Sequence, residues 1–540
     1  MQPRTLLSLP PELFPSILAH LTPHSLSSLS FLARTSRLLY ALAAPVLWEH
    51  FTLRYSIAVP GQDEDEAPTE EQQERERERI RAALEELAYY EGPGDEEEDG
   101  GHAGDTKSAP QEQDTPTTLF TAPSSRAARA RERCAWVRTL ELWNYQYWLS
   151  EAEAGWLEKC VGRMGGLREA RLMQHDDGAP FDPLLTPLPL FPPIWAALRT
   201  LPHVRTLRTQ YGPNVVLALQ DGFPALEELR MGMYFVDAEQ DGVIPCGVRR
   251  LRLEYVTGFE WLPLLGERGE WWFPPRVFAH LERLCLVDLP GEAVEYIAQM
   301  VETYATSSPP SSSPLTHLTL DLHTTPSIPL PSTQPGPLAQ LLSAFSLLQS
   351  VTHLAVASTP PLDSDGARGV EPHALLAQVA AGYGATLRSL SVLFGPGNAT
   401  TGKKGNYVQL NAGEDAAGEW DGARRAVRGM RELERFETNL LPLALLPPRD
   451  PLVLRSMLLP QTSSAPSPND PPPSAYAPLS FWAVKREREV RAVVEEGWAA
   501  ELMGRERGGE EGSGRGEERK GRKVQVRIRG KEGGVKGELL

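Results

Sequence analysis

"VRRLRLEY" at residues 248–255 and "LERLCLVD" at 281–288 decide the fold. Each carries the pattern L-x-x-L-x-L with conservative replacements, and apolar residues alternating with others place their side chains on one face of a short strand. Working outward, the signature recurs as "VRTLEL" (137), "LREARL" (167), "VRTLRT" (204), "LEELRM" (226), "LTHLTL" (315), "VTHLAV" (351), "LRSLSV" (387) and "LERFET" (433). The starts lie 22 to 46 residues apart, so one structural unit recurs with a spacer of variable length.

The spacers themselves are helical. "PGEAVEYIAQMVETYA" puts Val294, Ile297, Ala298, Val301 and Tyr304 on one face, and "PLAQLLSAFSLLQ" does the same with Leu338, Leu341, Leu342, Phe345 and Leu348. Each has Pro near its start. "SEAEAGWLEKCVGRM" opens with a capping box of Ser150 and Glu153. Strand, turn, helix, strand predicts parallel neighbouring strands stacked into an arc with helices or loops outside. The pattern resembles an irregular leucine-rich repeat, an α/β solenoid over residues 134–460. "LELWNYQYWL" in the first repeat adds Trp143, Tyr145 and Trp148, expected to cap its open end.

Upstream, "LPPELFPSILAHL" (9–21) belongs to a stretch without charge between Glu12 and Arg34. Its Pro, His and Ser residues make it too polar for a membrane span, and the same residues interrupt the apolar core a secretory signal needs. Leu13, Ile17, Leu18 and Leu21 share a helical face, followed by stripes at Leu26, Leu29 and Leu32 and at Leu38, Leu39, Leu42, Val46 and Leu47. Three helices this short cannot cover their own apolar surface, so some of it should meet a partner. The order Leu9-Pro10, Glu12-Leu13, Ile17, Leu21, Leu26, Leu29, Arg37 and Leu47-Trp48 resembles an F-box over residues 1–54, and "PVLWEHFTL" resembles fungal F-box proteins that continue into leucine-rich repeats. That resemblance implies docking on a Skp-type adaptor of a cullin-RING ubiquitin ligase, with Leu9, Pro10, Leu13, Ile17 and Leu21 facing the adaptor.

The rest of the chain reads as connection. Residues 61–133 are acidic and predict a largely disordered linker with one short, solvated charged helix through Leu87. Residues 461–478 are a Pro-rich linker, 479–503 a helix, and 504–540 a disordered Gly/Arg/Glu tail. "VQVRIRGK" in that tail alternates as an added strand or a basic nuclear address would, and neither is the expectation.

Composition limits function. A net charge of -17 argues against attraction to nucleic acid or to an anionic membrane. Cys134, Cys160, Cys246 and Cys285 are far apart in sequence with no C-x-x-C pair, which suggests reduced thiols in a cytoplasmic or nuclear protein and neither a disulfide framework nor a zinc site. "GNATTGKK" (397–404) nearly spells a phosphate loop but has Lys404 where a magnesium-binding hydroxyl is needed, so a plain loop is expected. No catalytic motif stands out, and no cofactor or enzyme activity is expected.

Binding is more legible. Between the leucines of four consecutive repeats stand Arg171, Arg208, Arg230 and Arg252, on the face turned away from the core. Parallel neighbours about 4.8 Å apart would stack these like charges. Either Glu169, Glu228 and Glu254 in the flanking positions neutralise them, or the arginines recognise an acidic or phosphorylated protein substrate. His317 and His353 occupy equivalent repeat positions and are expected to line the surface. The expected function is a non-catalytic substrate receptor of an SCF-type ubiquitin ligase; the alternative is a repeat scaffold without a ligase role.

Overall fold

The computed structural model describes residues 30–31, 33–34, 37–56, 68–89, 125–145, 148–173, 192–210, 223–232, 244, 247–256, 273–308, 313–322, 336–358, 372–394, 408–410, 417–442, 481–502 and 524–528. The fold is α/β and divides into two compact units, Met1–Leu229 and Arg230–Leu540. In each, parallel strands follow one another in chain order with helices between them.

The first unit runs α1 (Arg37–Leu47), β1 (His50–Arg54), α2 (Glu70–Ala88), α3 (Arg126–Trp136), β2 (Thr139–Trp143), α4 (Glu151–Arg163), β3 (Glu169–Met173), α5 (Pro192–Thr200) and β4 (Thr206–Gln210). Strands β1 to β4 pair in that order, all parallel. Strand β5 (Glu228–Gly232) follows, and the amides of Glu227 and Glu228 donate to the Arg205 carbonyl at 2.8 and 2.9 Å.

The second unit continues with β6 (Arg250–Glu254), a 3-10 turn (Pro275–Ala279), β7 (Arg283–Val287), α6 (Gly291–Ser307), β8 (His317–Leu322), α7 (Pro337–Ser346), β9 (His353–Ser358), α8 (Pro372–Tyr383), β10 (Ser389–Phe394), β11 (Val408–Leu410), α9 (Ala417–Gly429), β12 (Arg435–Thr438), β13 (Leu440–Pro442), α10 (Phe481–Leu502) and β14 (Gln525–Ile528). Strands β6, β7, β8, β9, β10, β12 and β14 form one parallel succession; β11 and β13 pair apart from it.

Every one of the ten L-x-x-L-x-L motifs becomes a strand beginning two residues into the motif. Alternation does the work: in β8, Leu318, Leu320 and Leu322 are buried while His317, Thr319 and Asp321 are half-buried on the other face. Each fully buried Leu contributes about 1.5–3 kcal/mol. The spacer helices lie as predicted, and α4 has its capping box, with the Ser150 amide donating to Glu153 Oε2 at 3.2 Å.

Four expectations are corrected. The charged helix is not solvated: α2 buries Ile80, Leu84, Leu87 and Ala88, a stripe spaced for one face, while Arg81 reaches Glu153 of α4 at 3.0 Å. Residues 126–136 are helical too, so the stretch 61–133 contributes two packed helices. The succession begins at β1, whose residues were assigned to the F-box, so β2 is not an open end; Trp148 is buried and donates to the Trp143 carbonyl at 3.0 Å. Within the tail, Gln525–Ile528 pairs with β12, because its alternation fits the last strand edge. There the C-terminal helix α10 seats Trp498 edge-on against Phe436 and Trp420, with ring centroids 5.2 and 4.9 Å apart.

At the last turn of this succession, the amide of Asn439 brackets one peptide of β10: Phe394 N–H donates to Asn439 Oδ1 at 2.9 Å, and Asn439 Nδ2 donates back to the Phe394 carbonyl. All three groups are buried, so truncation leaves backbone polar atoms unpaired. Asn439→Ala is expected to lower stability by about 2 kcal/mol, read as a lower urea midpoint; an unchanged midpoint would show that the bracket is dispensable.

Candidate functional site

The arginines between the leucines are largely engaged by their own sheet. Arg171 and Arg208 face each other in register, yet Arg171 Nε donates to Glu169 Oε1 at 2.6 Å and its Nη1 lies 3.7 Å from Glu141 on the neighbouring strand. These carboxylates, the Glu169 hydrogen bond foremost, hold the Arg171 guanidinium still more firmly charged than usual. Arg252 donates through Nε and Nη2 to Glu254 Oε2 at 3.1 and 2.9 Å. Arg208 and Arg230 are also engaged within the fold. Strand alternation explains why: residues two apart point to the same face, so Glu169 and Glu254 stand where they can reach the arginine on their own strand.

Arg252 has a further role. Beside it in register stands Cys285, and at the following same-face position Glu254 aligns with Val287 and Asp321. Burial pushes the Asp321 carboxyl up to about 7, with Asp288 adding to the rise and Arg252 opposing it. Burial likewise pushes the Cys285 thiol up to about 11. Arg252 is thus the countercharge of an acidic corner.

A different row of the same face is built differently. At the first position of successive strands the register aligns Arg250, Arg283, His317, His353, Ser389 and Arg435, without a carboxylate among them. Arg283 and Arg435 make no ion pair among the described residues. The imidazoles of His317 and His353 stack with centroids 4.1 Å apart and planes 7° from parallel. The two histidines expected merely to line a surface are therefore a built pair.

Each ring is held by the threonine before it. Thr316 Oγ1 donates to the Glu282 carbonyl at 3.3 Å and Thr352 Oγ1 to the Thr316 carbonyl at 3.3 Å. Each hydroxyl also lies 2.9 Å from Nδ1 of the following histidine. These contacts tie each imidazole to a hydroxyl that also reaches the neighbouring strand, with donor and acceptor roles set by the ring tautomer. Burial, then His353 and Arg283, lower the His317 pKa to about 4. His353 is also lowered, by burial first and then by Arg435, Arg283 and Arg388, against Glu434. The row therefore combines fixed guanidinium charge with two neutral imidazoles. Equivalent motif positions signal the alignment; the hydroxyl relay has no sequence signature.

The other expected sites lie elsewhere. Leu9, Pro10, Leu13, Ile17 and Leu21, and the "GNATTGKK" segment, lie outside the described residues. Among the described residues, no group of three or more His, Cys, Asp or Glu is arranged to hold a metal ion, and no helix is long and apolar enough to cross a membrane.

The stack makes stability pH-dependent. An imidazole in the unfolded chain takes its proton near pH 6.5, whereas folded His317 does so only near 4. Between those values the unfolded state binds more protons, so the stabilisation is complete above pH 6.5 and is lost as pH falls towards 4. His317→Gln should give a urea midpoint that varies less steeply with pH across this window than the wild type; equal slopes would contradict proton exclusion by the stack. No protein-family model matches the chain, and neither does any curated protein.

Proposed function

We propose that the chain is a non-catalytic substrate receptor of an SCF-type cullin-RING ubiquitin ligase. Residues 1–54 act as an F-box, with Leu9, Pro10, Leu13, Ile17 and Leu21 on a Skp-type adaptor, and the repeats act as an irregular leucine-rich-repeat solenoid that holds the target. The mechanism is proximity: tethering raises the effective concentration of target lysines at the conjugating machinery. It takes place in the cytoplasm or nucleus.

The observation that carries the target-binding half is the carboxylate-free row from Arg283 to Arg435. Guanidinium groups match a carboxylate or phosphate bidentately, and Arg283 and Arg435 are available for that while Arg171 and Arg252 are already held by glutamates. An acidic or phosphorylated segment laid across the strands meets guanidinium at both ends of the row. Between them it meets the imidazole pair, whose Nε2 atoms become donors when an anion draws protons onto them. The anion contacts first expected at Arg171, Arg208, Arg230 and Arg252 are thus assigned in this proposal to the row of Arg283 and Arg435 instead.

Two measurements on the full-length chain test the proposal. Pull-down should recover a Skp-type adaptor and cullin, and Leu9→Ala with Pro10→Ala should reduce that recovery at least tenfold; no adaptor in the wild-type pull-down would refute the ligase assignment. Proximity labelling with degradation blocked should then enrich acidic or phosphorylated proteins, and Arg283→Ala with Arg435→Ala should cut that enrichment severalfold while adaptor recovery persists. Enrichment unchanged by the double substitution would remove the row from target binding.

A further inference from the structure

Positive charge crowds the stacked imidazoles. His317 and His353 stand on β8 and β9 with their ring centroids 4.1 Å apart. Arg283 on β7 is the register neighbour of His317, and beyond His353 the row continues through Ser389 to Arg435. Arg388, just before β10, also disfavours charge on His353, whereas Glu434 favours it. The other carboxylates nearby are occupied: Glu282 lies 3.6 Å from Arg249, Glu437 accepts from the Ser391 hydroxyl at 3.5 Å, and Asp321, further along β8, belongs to the corner around Arg252. The next same-face position carries Cys285, Thr319, Ala355 and Ser391, none of them an ion at neutral pH.

We infer that the row takes up a phosphomonoester dianion together with one proton shared by the stacked rings, so that capture of a phosphorylated target strengthens as the surroundings turn more acidic. This rests on the row being the target site. A dianion calls for two positive partners, and Arg283 supplies one. Arg435 lies four strand spacings from Arg283, about 19 Å, and serves a different part of the bound segment. The second charge therefore comes from the imidazole pair. An anion beside the rings offsets the guanidiniums that keep the proton away. Both nitrogens of an imidazolium donate, and each Nδ1 already has a threonine hydroxyl oxygen at 2.9 Å, so Nε2 supplies the donor to the anion. One proton enters and not two, because a second imidazolium 4.1 Å away would restore the repulsion that the anion relieved. A carboxylate, with a single charge, is answered by the guanidinium and draws no proton.

The empty row keeps its rings neutral, since burial, His353 and Arg283 hold His317 down to about 4. A proton taken up nearer neutrality therefore arrives with the ligand. Linkage makes the effect reciprocal: the factor by which the anion raises proton affinity is the factor by which the proton raises anion affinity, up to about tenfold for each pH unit when one proton is taken up. Guanidinium does not titrate in this range, so an anion site built of arginine alone would be flat in pH.

The test titrates the full-length protein, carbon-13-labelled in its histidine rings, with sulfate at about pH 7.5 and about pH 5.5 under constant ionic strength. Sulfate stays a dianion throughout, so every proton taken up lands on the protein. Signals lost in His317→Gln and in His353→Gln assign the pair. Sulfate should bind about tenfold more tightly at the lower pH, with the pair moving towards imidazolium shifts at saturation, and Arg283→Ala should abolish both effects. A synthetic phosphoserine peptide should share the pH preference and acetate should lack it. Sulfate that perturbs these signals with equal affinity at both pH values would overturn the proton linkage while leaving the row an anion site. No response to sulfate at either pH would overturn the linkage and the row's role in target binding together, and an equal pH preference for acetate would overturn the assignment to a dianion.

Discussion

One carbonyl per repeat holds the second unit together. The residue just before each strand offers its C=O to two amides of the next repeat: Arg249 receives Glu282 and Arg283, Glu282 receives Thr316 and His317, Thr316 receives Thr352 and His353, and Thr352 receives Arg388 and Ser389, all between 2.7 and 3.2 Å. A carbonyl oxygen has two lone pairs, so the double load satisfies both donors. It also fixes where each strand starts, however long the preceding spacer was. Arg138, Arg168 and Arg205 carbonyls perform the same service in the first unit. The side-chain rows follow from this constraint, since residues many positions apart become register neighbours.

The repeat was legible because its chemistry is local. A buried leucine at every second position is a strand whatever its surroundings, and all ten motifs fold accordingly. The helices with Pro or a capping box at the start and a continuous apolar face were equally readable, as in Gly291–Ser307 and Pro337–Ser346. What escaped depends on partners distant in sequence. Ile80, Leu84 and Leu87 are outnumbered by glutamate and arginine in α2, so composition suggested solvent, although the three stand on one face and are buried. Strand β1 carries no L-x-x-L-x-L signature, and β14 is two turns of alternation in a charged tail; each forms because an existing strand edge offers unpaired amides and carbonyls.

The candidate site was legible in part for the same reason. That four arginines would occupy the open face, and that glutamates stood close enough to neutralise them, were both visible in the sequence. Which outcome prevails is decided by rotamers and distances, and Glu169 and Glu254 take the guanidinium groups of Arg171 and Arg252. The histidines were visible as equivalent positions, but their contacts to the Thr316 and Thr352 hydroxyls, which also reach across strands, are announced by no residue pattern.

Why Arg283 and Arg435 make no ion pair among the described residues while Arg171 and Arg252 do comes down to what stands two residues away. Arg171 has Glu169 before it and Arg252 has Glu254 after it. Arg283 has Leu281 and Cys285 at those positions, both buried and neither a carboxylate that could answer it. Arg435 has Leu433 and Glu437, and Glu437 instead accepts from the Ser391 hydroxyl at 3.5 Å. Between these two arginines the imidazoles exclude protons, so the row gains no further repulsion when it is empty. An anion arriving there does not have to break an existing ion pair at Arg283 or Arg435, whereas at Arg171 or Arg252 it must displace a glutamate that then lacks its partner. For the acidic ligand proposed above, the cost of displacing a glutamate therefore favours Arg283 and Arg435 over Arg171 and Arg252.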